Sequence, residues 1–143
     1  MIYEKEITVP ANTPRNARQR TVFKITAGVL HFAEIHFPPG CCNLVKAALN
    51  LGGVQIFPST KGMDLAGDTF PVRFEDYLPI EAGRNYLTVY TWSEDDFYDH
   101  TLRIRIGILR PEDLEKAKAL GVVAGTITGT AGSPSKGRRA LTK

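Results

Sequence analysis

Apolar side chains recur at every second position through Leu102, Ile104, Ile106 and Ile108, with Thr101, Arg103 and Arg105 between them. A period of two turns one set of side chains inward and the other to water, so this segment predicts a half-buried β-strand. Two further apolar runs, residues 44–51 and 54–57, flank Gly52-Gly53. That dipeptide accepts positive φ at both central turn positions without steric cost, which predicts a hairpin. Residues 21–26 and 29–37 are rich in β-branched and aromatic residues and are separated by Ala27-Gly28. They are expected to pair as a second hairpin. Within the second run Val29, Ala33, Ile35 and Phe37 share one parity with His31, which leaves Leu30, Phe32, Glu34 and His36 as a mixed face, and Pro38-Pro39-Gly40 ends it. Residues 2–9, 70–74 and 86–92 are the remaining strand candidates, with Glu81-Ala82-Gly83-Arg84 as the turn between the last two.

Seven or eight strands at this spacing, with turn residues between them and no alternation with long helical patterns, predict an all-β fold, an antiparallel β-sandwich of jelly-roll type. One helix is expected, over residues 111–120. Pro111 stands at its start, Glu112 and Asp113 lie in its first turn, and Gly121 follows its end. The chain therefore divides into an N-terminal strand and extended arm (1–20), a sandwich core (21–110, joined by strand 2–9), the short helix (111–120) and a flexible basic tail (121–143). The tail is rich in Gly, Thr and Ser and offers little to a core.

Length and composition agree with that division. A chain of 143 residues, 43% hydrophobic and 23% charged, can bury a core of its own. No apolar stretch approaches the roughly 20 residues of a membrane-spanning helix. Residues 1–6 lack the basic and apolar regions of a signal peptide, so synthesis in a cytoplasm is expected. The net charge of +3 is unevenly placed: residues 1–120 carry 14 Lys and Arg against 15 Asp and Glu, and the rest of the cations lie in the tail. Cys41 and Cys42 are adjacent, which disfavours a bridge between them. They read as small thiols at a strand start, with a cross-link between subunits as the sharper alternative.

Candidate chemistry is sparse. His31 and His36 are five positions apart on one strand, so they are expected on opposite faces, and a metal site with His100 would need a bulge. Glu94, Asp95, Asp96 and Asp99 crowd one loop, as calcium ligands do, but without the spacing of a dedicated calcium loop. A solvated turn, or a contact for a basic partner, is the plainer reading. Tyr86, Tyr90 and Trp92 share a strand face and could stack on sugar rings, which makes a carbohydrate-binding module the alternative function. The chain contains no nucleophile elbow, phosphate-binding glycine loop or zinc-binding helix motif. It reads as a non-enzyme with no cofactor and no metal.

The arm is the more informative segment. Pro10 and Pro14 hold residues 10–14 in an extended passage or crossover, and Arg15, Arg18 and Arg20 follow without an apolar stripe. Pro10, Asn12, Pro14, Arg15, Arg18 and Arg20, together with Lys136, Arg138 and Arg139 in the tail, are the candidate partner-binding residues. Neither membrane nor nucleic acid is expected as the partner.

Several segments carry a family resemblance. They are Thr8-Val9-Pro10-Ala11-Asn12-Thr13-Pro14, Phe37-Pro38-Pro39-Gly40, Gln55-Ile56-Phe57-Pro58-Ser59, the run from Trp92 to His100, and Arg103-Ile104-Arg105-Ile106-Gly107. Over residues 2–110 the chain resembles small β-sandwich virion proteins of tailed bacteriophages, most of all the capsid decoration or cement class. The resemblance implies a virion protein made in the host cytoplasm. It implies binding to the major capsid protein or other virion subunits outside an HK97-type icosahedral shell, commonly as a trimer that reinforces capsomer junctions. A tail, neck or baseplate position is the related alternative.

Overall fold

In the computed structural model, which describes residues 1–121, the period-two segments become the strands of two sheets. The strands are β1 (Ile2–Val9), β2 (Gln19–Lys24), β3 (Gly28–His36), β4 (Val45–Leu51), β5 (Val54–Phe57), β6 (Leu65–Ala66), β7 (Pro71–Ile80), β8 (Tyr86–Ser93) and β9 (His100–Leu109). One sheet has the order β1-β9-β3-β7 and the other β2-β8-β4-β5, with the short β6 paired to β4. These two interleaved four-strand orders are those of a jelly roll, so the expected fold class is found. Leu102, Ile104, Ile106 and Ile108 face inward and are fully buried, as their alternation predicts. They meet Val9, Leu30, Ile35, Phe37, Val45, Leu49, Leu87 and Val89 in one core. At the open side between edge strands β5 and β7, the Phe57 and Phe74 rings stack at 4.9 Å with 8° between planes.

The Gly52-Gly53 hairpin is present, with Leu51 opposite Val54 and φ of 57° and 92° at the two glycines. The hairpin expected across Ala27-Gly28 is not. β2 pairs with β8 in one sheet and β3 pairs with β7 in the other, so residues 25–27 form a corner that carries the chain between layers. A local turn signal reports that the chain reverses, not which strand it then pairs with; the partners here are set by the shared core. The turn at 81–84 closes with the Arg84 N–H on the Glu81 carbonyl at 3.1 Å, and it too joins strands of opposite sheets.

A register irregularity between β3 and β7 at Leu30/Phe32, where two steps of β3 lie opposite three of β7, accompanies a break in the parity expected for β3. The phase of β3 changes there, so Leu30 is buried together with Ala33 and Ile35, while Val29 and His31 leave the core side. The same shift sets His31 beside Gly107, on the outward face that also carries His36, rather than on the opposite face.

The helix α1 (Pro111–Ala119) belongs to the segment from residue 109 onward. Its start is held by Asp113, whose carboxylate lies 2.7 Å from Arg110 Nε and accepts the Arg110 backbone N–H. The Arg110 guanidinium brings the Asp113 carboxyl down to about 2. Gly121, with φ of 76°, follows the helix end. Among the described residues no helix is long and apolar enough to cross a membrane.

A candidate interaction surface

Because consecutive strands mostly cross between the sheets, the long connections at 10–18, 37–44, 58–70 and 94–99 gather at one end of the sandwich. Backbone hydrogen bonds knit them together. The Asn12 N–H donates to the Asp95 carbonyl at 2.7 Å, Ser93 N–H to Thr13 at 2.9 Å, Glu94 N–H to Leu44 at 2.8 Å and Asn43 N–H to Gly67 at 3.3 Å. The Gly40 N–H donates to the Asp68 carboxylate and the Ala11 N–H to that of Asp99. The short turns around Ile25, Gly52 and Asn85 lie at the other end, tied by Asn85 Nδ2 to the Ile25 carbonyl at 2.7 Å.

The acidic loop 94–99 is built around one buried carboxylate. Asp95 is 7% exposed, and its Oδ1 accepts the N–H groups of Phe97 (2.9 Å) and Tyr98 (3.2 Å). Its Oδ2 lies 2.7 Å from Nε2 of buried His100. An ionised carboxylate only accepts, so that nitrogen carries the proton. The His100 hydrogen bond, followed by that from Phe97, holds the Asp95 carboxyl below its usual value. With its carboxylate committed this way, Asp95 acts as the keystone of a turn. Among the described residues no cluster of three metal-type ligands occurs. The turn presents Phe97 and Tyr98 to solvent at 84% and 70% exposure. Sequence reading stopped at the acids of this loop and missed the two aromatics. The available signal was Ser93-x-Asp95, the side-chain chemistry of a tight turn.

The arm residues fold back along the body. Pro10 and Pro14 are exposed, Asn12 takes φ of 55° in its turn, and residues 15–17 form one turn of 3-10 helix over β8. The Arg15 guanidinium lies 5.2 Å from the centre of the Trp92 ring, and Arg18 lies 4.6 Å from that of Tyr90. Arg15 also donates to the Gly62 carbonyl at 2.7 Å. Two separate expectations thus meet in one place: the docking arginines cap the aromatic platform. Trp92 is 3% exposed, so it offers no face to a sugar. Arg15, Arg18, Asn50, Gln55, Tyr90 and Trp92 line a polar recess of about 190 Å³. Arg20 lies outward on β2, opposite Tyr90. Lys136, Arg138 and Arg139 lie outside the described residues.

The two outer faces differ in charge. On the face of β1, β9, β3 and β7, acids and arginines alternate. Arg103 meets Glu6 at 2.7 Å, Arg105 meets Glu4 and Glu34 at 2.9 Å, and Arg73 meets Glu75 at 3.5 Å. The opposite sheet contains no Asp or Glu in any of β2, β4, β5, β6 or β8. Arg20, Lys24 and Lys46 stand on it.

Cys41 is buried and Cys42 is exposed. Burial, with Asp68 adding to it, pushes the Cys41 thiol up to about 11.

No protein-family model and no curated protein sequence matches this chain. Among solved structures, that of tomato aspermy virus, determined by X-ray crystallography, is similar over 73% of this chain and 75% of that chain, at 11% sequence identity and a TM-score of 0.38.

Proposed function

We propose that this chain is a non-enzymatic virion structural protein, and within that class a capsid decoration subunit that binds as a homo-oligomer to the outside of an icosahedral phage shell. The observation that carries the reading is the Phe97-Tyr98 pair, solvent-exposed on a turn that Asp95 pre-forms. Aromatic anchors dominate protein interfaces, and a site already rigid before contact loses little entropy on docking. The jelly roll suits the role because its loops hold such anchors on a stiff body, and viral shells use this architecture often, although fold alone does not assign function. The sequence resemblance to phage decoration proteins supplies the shell as the partner.

The test is co-sedimentation of the purified protein with intact shells, followed by a subunit-resolution map of the decorated particle. Saturable binding at capsomer junctions, lost in Phe97→Ser/Tyr98→Ser, is the expected result. A protein that leaves shells bare at saturating concentration overturns the proposal, and density in the tail, neck or baseplate moves it to another part of the virion.

A further inference from the structure

Two surfaces of this chain are opposite in charge, and among the described residues the exposed charges of neither make an ion pair. The sheet that contains β2, β8, β4 and β5 has no carboxylate in any strand. Arg20 and Lys24 are exposed on the outward side of its edge strand β2, with Val22 between them at 38% exposure. Among the described residues no carboxylate lies within ion-pair distance of Arg20, Lys24 or Lys46. The loop 94–99 supplies the converse surface. Glu94 and Asp96 are exposed beside Phe97 and Tyr98.

We infer that loop 94–99 of one copy docks on the outward β2 face of a second copy through its acids, with Glu94 and Asp96 facing Arg20 and Lys24 on either side of Val22 and Phe97 and Tyr98 left outside the contact. Charge complementarity selects this occupant. Arg20 and Lys24 are four positions apart on one strand face, roughly 13 Å, a span that the side chains of two acids on one turn can meet. A nucleic acid fits less well, since base stacking needs open rings and Arg15 and Arg18 already lie over Trp92 and Tyr90. The two patches are different surfaces, so the contact is heterologous and closes into a ring or runs on as a filament. This contact between copies does not depend on the shell being the partner.

Sedimentation velocity of the full chain tests it. Wild type is expected to self-associate at low salt and to dissociate as salt rises, because the paired charges are solvent-facing. Glu94→Lys/Asp96→Lys and Arg20→Glu/Lys24→Glu should each weaken association by about tenfold or more while keeping a β-type circular-dichroism spectrum. An equimolar mixture of the two variants should associate again, since each restores the other's opposite charge. A wild type that is monomeric at high micromolar concentration, variants that keep the oligomer, or a mixture that stays monomeric each overturn the inference. So does monomeric protein that binds a single-stranded oligonucleotide through Arg20 and Lys24, which identifies a polyanion site instead. Shell co-sedimentation is scored separately, so either proposal can fail without the other.

Discussion

Asp95 and His100 face each other across the acidic loop at 2.7 Å, both buried, and their contact ties the start of the loop to the first residue of β9. The Asp95 carboxyl titrates below its ordinary value of 3.8, so its stabilising effect is fully present above that value and is lost as pH falls through the depressed one. Stability should therefore hold from neutral pH down to the ordinary carboxylate range and fall below it. Asp95→Asn should lower the melting temperature at pH 7 and flatten the acid limb of the profile, as read by thermal melts between pH 2 and 7. Glu4, held low by Arg105, contributes in the same direction.

The two cysteines should separate by reactivity. Cys41 is buried, with its thiol near 11, whereas Cys42 is exposed. Reaction with a thiol reagent at pH 8 should modify Cys42 alone in the native protein and both residues in denaturant, as counted by intact mass. Any cross-link between copies must then run through Cys42, and Cys42→Ser should abolish it on a non-reducing gel.

Gly107 is constrained by close packing. A methyl group there would lie 2.7 Å from His31 Nε2 and nearer still to the Phe32 ring. Gly107→Ala should destabilise the fold by about 1–3 kcal/mol through overpacking, measured by urea denaturation. Adding Phe32→Leu should return part of that loss.

Trp92 is the chain's single tryptophan, so its fluorescence reports on the arginine cap. The native protein should emit at short wavelength and resist iodide. Arg15→Ala should shift emission to the red, increase quenching and cost about 0.5–1 kcal/mol, the size of one exposed cation–π contact.

Thr69 holds a β-branched side chain at φ of 72°. Thr69→Gly should raise stability by about 1 kcal/mol, because glycine meets no steric penalty there and the bond from His36 uses only the Thr69 carbonyl.

What the sequence alone determined is the class of structure: period-two alternation in β9, the glycine pair between β4 and β5 and the proline-led helix start are local signals, and each yields its element. Local patterns cannot report which strand lies beside which, and that is where reading failed. Ala27-Gly28 marks a real reversal, but β2 and β3 part into different sheets, where they pair with β8 and β7. The register irregularity between β3 and β7, beside which Leu30 lies in the core, leaves no mark in composition either. The candidate surface divides the same way. Arginines at 15 and 18 and aromatics at 90 and 92 were legible as separate features 72 or more positions apart. Only the tertiary structure, by folding the crossover back over β8, decided that the first would cover the second and that Phe97 and Tyr98 would face water.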